Sequence, residues 1–314
     1  MKNKFYILVL IAISIFSIQA KAQEDLLALV DTAKNLNKNV KVESLFKTTS
    51  LISLPTVTTV KKGTMDFRID HRFGDAGAAS GGGFHTLYGL DFGQDIRFSF
   101  DFGITNKLSF CVGRSRQFEG IDGSLKYRLL DQTTNNHVPF SLAFSVRTTY
   151  NPQRSSTFYA GADTSVVKNM ADRLTYVSDI MLARSFGDKL SIEIVPTYVH
   201  LNYVLGTINT NNNAENENDI YAIGGGGHYM ITKHFGIIAD YYYIISKYRE
   251  NNPTLKYYNP LSVGIEIETG GHVFHMYFTN ASGIVESAFI PHTTDNWLKG
   301  GYKFGFSISR VFNI

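Results

Sequence analysis

GYKFGFSISRVF, residues 301–312, alternates along its whole length. Even positions are Tyr302, Phe304, Phe306, Ile308, Arg310 and Phe312; odd positions are Gly301, Lys303, Gly305, Ser307, Ser309 and Val311. A period of two sends neighbouring side chains to opposite faces of an extended strand. One face here is aromatic and apolar up to Arg310, and the other is mostly small or polar. A water-soluble sandwich shows the same alternation. The class therefore turns on how often the pattern recurs and on what its polar face carries.

It recurs upstream. Met65, Phe67, Ile69, His71 and Phe73 oppose Asp66, Arg68, Asp70 and Arg72, and Ile96, Phe98, Phe100 and Phe102 oppose Asp95, Arg97, Ser99 and Asp101. Segments 121–129 and 140–149 repeat it, with Lys126, Arg128 and Arg147 on their polar faces. Weaker alternation covers 107–116, 171–186, 189–202, 218–230, 234–248, 258–268 and 271–281. The connections 74–93, 152–170, 203–217, 249–257 and 282–298 are long, whereas 105–106, 132–137, 187–188, 231–233 and 269–270 are short. Only the short 117–119 is out of phase. Long loops on one rim, short turns on the other and an even strand number belong to outer-membrane barrels. The pattern predicts an all-β chain, a transmembrane antiparallel β-barrel of about twelve strands. Fourteen is the alternative, if 43–56 and part of 282–292 also pair.

The N-terminus agrees with export. Lys2 and Lys4 precede an apolar run from Phe5 to Phe16, and Ala20-Lys21-Ala22 offers a cleavage site before Gln23. Residues 1–22 read as a signal peptide. Its removal takes three lysines and no acid, so 30 basic residues become 27 against 27 acidic ones. A neutral mature chain gives no electrostatic ground for nucleic-acid binding. Cys111 is the sole cysteine, which excludes an internal disulfide. Beyond the signal, no run approaches the roughly 20 apolar residues of a membrane helix. With 23 Phe, 18 Tyr and 27 Gly against 7 Pro, the composition suits a large β structure.

Residues 23–62 differ in character from the rest of the mature chain. Glu24–Leu36 has apolar residues near helical spacing, and the Ser- and Thr-rich stretch 47–60 holds Pro55. This part reads as an N-terminal extension, periplasmic or plugging the barrel mouth, ahead of a barrel at 63–314.

GTMDFRIDHRFGD (63–75), FHTLYGLDFGQDIRFSFDFGITNKLSFCVGRS (84–115) and IDGSLKYRLL (121–130), together with the signal peptide, carry a resemblance. The chain resembles a family of outer-membrane β-barrel proteins of unknown function, common in Gram-negative Bacteroidota. The resemblance implies the fold and the outer membrane as compartment. It implies no substrate.

Candidate chemistry is sparse. Gly81–Gly83 and Gly224–Gly227 lack the GK[ST] ending and the following helix of a phosphate loop. Within a strand, the second run fits bending or close approach of an inward object. His272 and His275 stand three apart, on opposite faces of a strand, so no metal site is assigned. Tyr198, His200 and Asn202 share a face, but no nucleophilic serine motif accompanies them, so no catalytic residue and no cofactor is assigned.

The polar face is the strongest constellation. Asp66, Arg68, Asp70, Arg72, Asp95, Arg97, Asp101, Lys126, Arg128, Arg147, Asp179, Glu193, Asp240, Glu266, His275 and Lys303 are assigned inward as pore-lining. Each Arg or Lys aimed at mid-membrane lipid would cost roughly 2–4 kcal/mol, which leaves the lumen as their destination. Bases on neighbouring strands and acids on later ones would set a basic arc against an acidic one across the lumen. Eight-stranded barrels are filled by side chains and sixteen-stranded ones hold a channel, so about twelve strands fall between. The expected function is a narrow channel or transporter for a small polar solute, in contact with outer-membrane lipid. A non-conducting structural or docking barrel for a periplasmic partner protein is the alternative, ahead of an outer-membrane enzyme.

Overall fold

Alternation of this kind leaves backbone groups unpaired at every strand edge, and lipid tolerates that only if the sheet closes. It does close. The computed structural model describes residues 40–42, 45–162 and 167–314. Twelve antiparallel strands form a closed barrel. They are β1 (Thr64–Asp75), β2 (Gly93–Gly103), β3 (Leu108–Ser115), β4 (Ile121–Leu130), β5 (Ser141–Tyr150) and β6 (Leu174–Phe186). After them come β7 (Leu190–Leu201), β8 (Asp219–Met230), β9 (Phe235–Ile245), β10 (Leu261–Thr269), β11 (His272–Thr279) and β12 (Lys303–Asn313). Each strand pairs with the next, and β12 closes on β1 from Met65↔Phe312 to Arg72↔Gly305. The short turns 104–107, 131–140, 187–189, 231–234 and 270–271 share one rim with both ends of the barrel sequence.

The fourteen-strand alternative is not adopted, because β1 and β12 already satisfy each other. Residues 45–60 turn into the lumen instead. They form a hairpin in which Leu51 N–H donates to Leu54 O at 2.8 Å and Thr56 N–H to Thr49 O at 3.0 Å. Residues 286–292 likewise do not pair as a strand. Glu286–His292 is a short helix, α1, in the long loop 280–302, and its residues Glu286–Pro291 are buried. The signal-peptide segment 1–22 and the helical reading of Glu24–Leu36 lie outside the described residues.

The wall has two characters. Its outer face is mostly apolar, with side chains such as Phe98, Phe100, Val146, Ile180, Ile237 and Phe278 directed away from the barrel. Its inner face is charged and hydroxylic on β1–β5 and β10–β12, but on β6–β9 it carries Val177, Met181, Val195, Val199, Ile220, Ile238 and Tyr242, all buried. Against that inner apolar sector pack Leu45, Phe46, Leu51, Ile52, Leu54 and Val57 of the hairpin, and Phe289 and Ile290 of α1. The hydrophobic core therefore sits inside the lumen. Full burial of one such Leu or Phe is worth about 1.5–3 kcal/mol.

Candidate functional site in the barrel lumen

The inner hairpin enters at the short-turn rim. Thr59 donates to Asn106 O at 3.0 Å and Val60 N–H to Ser109 Oγ at 3.0 Å. Lys47 donates to Lys233 O at 2.8 Å and pairs with Glu268. The tip, Ile52–Ser53, reaches the long-loop half.

Inward side chains grip it on every side. One oxygen of the Asp240 carboxylate accepts the N–H groups of Ile52, Ser53 and Leu54, at 3.0, 2.7 and 3.3 Å. Glu193 accepts Val57 N–H at 2.8 Å. Arg68 donates to the carbonyls of Ser50 and Leu51 at 2.9 and 3.0 Å, and it pairs with Asp70 at 2.8 Å. Lys126 donates to Thr49 O at 2.7 Å and Thr56 O at 2.8 Å. His275 lies 3.1 Å from Leu51 O on one ring nitrogen and 3.0 Å from Glu266 on the other. Gly224 and Gly226 leave the room that Leu54 fills: a Cβ on Gly224 would come within 2.5 Å of Leu54 Cδ1.

The long loop 280–302 closes the other end. Asp95 accepts Ile284 N–H at 3.1 Å and Gln117 N–H at 2.8 Å. Lys303 pairs with Asp75 and Asp295, both at 2.5 Å. Phe289 packs edge-on against Tyr242, ring centroids 5.1 Å apart. Arg72 links the two inserts, donating to Ser53 Oγ at 2.9 Å, to Ala281 O at 3.2 Å and to Gly283 O.

Asp66 accepts from Ser309 Oγ at 2.6 Å, and Asp179 from Ser145 Oγ at 2.7 Å and Thr197 Oγ1 at 2.8 Å. Arg97 and Arg147 both meet Asp122, at 2.6 and 2.5 Å, and Arg147 also meets Glu286 of α1 at 3.2 Å. Arg128 stands at the short-turn rim, paired with Asp131 at 2.8 Å. Asp122 and Glu286 are absent from the inward set assigned from the sequence. Asp122 is legible from strand parity; Glu286 is not, because helical placement inside a barrel leaves no period to read. The basic and acidic arcs do not face each other across open space. The hairpin lies between them; Arg97, Arg128 and Arg147 are paired with carboxylates beside them, and Lys126 is held by hairpin carbonyls.

Two spaces remain. A vestibule of about 670 Å³ opens among the long loops, floored by Val285, Ser287, Ala288 and His292 and walled by Phe118, Phe158, Tyr203, Tyr248, Arg249 and Tyr257. Below α1 a gap of about 60 Å³ runs between the hairpin and the wall, bordered by Arg68, Asp70, Arg97, Asp101, Lys126, Arg147 and Glu286.

Other candidates fall outside the lumen. His272 faces outward, 3.4 Å from Arg310, while His275 faces inward. Among the described residues no group of three or more His, Cys, Asp or Glu is arranged to hold a metal. Tyr198 and His200 meet Asp219 on the outer face, at 2.5 and 2.7 Å, and Asn202 donates to Ala171 O at 2.7 Å.

Residues 46–312 match one family model. The chain belongs to the membrane-bound beta-barrel domain family (DUF5777). The match takes in the inner hairpin and α1 as well as every strand of the DUF5777 barrel. A closed antiparallel barrel with an apolar outer wall, short turns at one rim and long loops at the other is an outer-membrane form, and this is an outer-membrane barrel. Among solved structures it is similar to the NanC porin, at 11% identity over 80% of this chain and 99% of that one, TM-score 0.46. It is also similar to an outer-membrane channel from Pseudomonas putida F1, at 13% identity over 82% and 98%, TM-score 0.43. A third similar structure is the KdgM porin, at 10% identity over 79% and 99%, TM-score 0.40. Curated proteins gave no significant match.

Proposed function

We propose that this barrel is a narrow channel for small polar solutes, closed in the described state by the hairpin and α1. The observation that carries the reading is the unequal seal around the hairpin. On the β6–β9 side it is a packed, largely apolar seat, with Asp240 and Glu193 holding hairpin N–H groups. On the β1–β5 side it is a charged, hydroxyl-lined gap beneath an open vestibule. A packed core resists displacement, whereas polar contacts beside a polar gap can exchange for water at small net cost. A tilt of the hairpin against its apolar seat widens the gap. Arg68, Asp70, Arg97, Asp101, Lys126 and Arg147 would then line the pathway; Arg72, Asp95, Glu193, Asp240, His275 and Lys303 anchor the inserts, and Asp66, Asp179 and Arg128 pair with the wall and its rim.

Ser53 and Ser262 offer the test, since their hydroxyls lie 3.3 Å apart between hairpin tip and wall. In a Cys111→Ala background, Ser53→Cys with Ser262→Cys should conduct in planar bilayers when reduced and fall silent when oxidised. The extensive apolar cluster favours a second reading, a permanently filled docking barrel. Silence of the reduced form, and of a variant lacking residues 45–57, would decide for it.

A further inference from the structure

The loop 76–92 does not project from the barrel. It folds back against the end of β1, where Gly89 meets Gly74 so closely that a Cβ on Gly89 would lie 2.6 Å from the Gly74 carbonyl carbon. Leu87 and Tyr88 hold left-handed backbone, φ 46° and 55°, a conformation that costs non-glycine residues of order 1–3 kcal/mol. The result is an apolar ledge. Phe84 is 82% exposed and Phe92 58%, with Leu87, Tyr88 and Leu90 beside them. Hydrogen bonds from Ala76 and Gly77 to Tyr302 and Gly300, at 2.8 and 3.0 Å, tie the neighbouring loop alongside and add Leu298, 96% exposed.

The ledge continues an established apolar surface. Phe73 contacts Phe304 and Phe306 on the outer wall, ring centroids 5.8 and 6.1 Å apart, and Trp297 stacks on Tyr302 at 5.2 Å. A base flanks it. Arg116 donates to the carbonyls of Gly93 and Gln94, at 2.5 and 3.0 Å, directly after Phe92. Arg114, also outward and exposed, pairs with Phe98 farther down the wall. The exposed acids on the adjoining loops, Asp91 and Glu119, form no ion pair with Arg116.

We propose that this ledge inserts into the lipid leaflet on the long-loop side and binds a phosphorylated lipid there, with its acyl chains against Phe84, Leu87 and Phe92 and its phosphate on Arg116. Continuity with the lipid-facing wall selects this occupant over water or a second copy. Large exposed apolar patches mark a partner surface, and aromatic side chains with cationic neighbours suit the headgroup boundary.

In a Trp297→Phe background, Phe84→Trp reports the environment in phosphatidylcholine vesicles brominated on the acyl chains near the headgroup. The new tryptophan should emit blue-shifted and lose most of its fluorescence to bromine, while a Leu255→Trp control in the vestibule does not. Water-like, unquenched emission overturns the proposal. Blue-shifted but unquenched emission accompanied by cross-linked dimers also overturns it, in favour of a second copy. By native mass spectrometry the barrel should retain phosphatidic acid over phosphatidylcholine, with the preference falling about fivefold for Arg116→Gln. An unchanged preference refutes the phosphate contact.

Discussion

Asp240 shows what a single inward residue does in this barrel. Strand parity alone places it on the inner face, but its partners, the N–H groups of residues 52–54, lie 186–188 positions away in sequence. No local pattern reports such a pairing. Hydrogen bonds to a charged acceptor contribute about 1.5–3 kcal/mol each, more than neutral ones, so this carboxylate fixes the hairpin tip. Asp240→Leu should release it. Hydrogen exchange should then speed up at Ile52–Leu54 while the amides of the wall stay protected. Unchanged protection at the tip would mean that apolar packing alone holds it. The remaining inward charges divide in the same way. Their faces were readable from alternation, and their roles, whether gripping the hairpin, gripping the loop or bordering the gap, depend on partners brought in by the fold.

At the scale of the element, the weak strands carry the lesson. Segments 171–186, 189–202, 218–230 and 234–248 alternate poorly because apolar residues stand on both faces, toward lipid on one and, interspersed with a few acids and hydroxyls, against the hairpin and α1 on the other. Loss of amphipathicity was itself the signal that something fills that half of the lumen, and the run Gly224–Gly227 marked where it comes closest. The strong alternation of β1, β2, β4 and β5 reads clearly because the polar half meets charges and water. The plug alternative for 23–62 anticipated an insert but not the bounds or depth of 45–60, and α1 stayed hidden: their apolar residues obey no strand period, since they pack as an inserted core. Gly224→Val tests the fit. Its side chain would overlap Leu54, so the variant should melt earlier and expose residues 45–60 to protease. Adding Leu54→Ala should restore part of both. Failure of the second change to rescue would place the damage at the Tyr242 ring, which a Cβ on Gly224 would also approach to 2.8 Å, or in the strand itself.

For the whole molecule, the direction of the hairpin decides how the barrel sits and which compartment acts on it. The hairpin and both ends of the barrel share the short-turn rim, while the vestibule, α1 and the lipid-facing ledge share the opposite one. Short turns face the periplasm in bacterial outer-membrane barrels and long loops face outward. This orientation gives the periplasm access to the hairpin's base at Lys47 and Thr59, and gives external solutes access only to the vestibule above α1. Ser156 and Asn213 are exposed on long loops, and Asp188 is exposed on a short turn. With Cys111→Ala removing the buried thiol, cysteines at Ser156 and Asn213 should react with a membrane-impermeant maleimide on intact cells. A cysteine at Asp188 should react only after the outer membrane is permeabilised. The reverse pattern would put the hairpin's base outside the cell, and displacement of the hairpin would then have to be driven by an external ligand rather than from the periplasm. Labelling of all three on intact cells would mean that the barrel is not inserted. The same cells report on the channel reading: a tilt of the hairpin that opens the gap would make a cysteine at Ser124, on the gap-lining wall, reactive in the conducting state and silent in the cross-linked one.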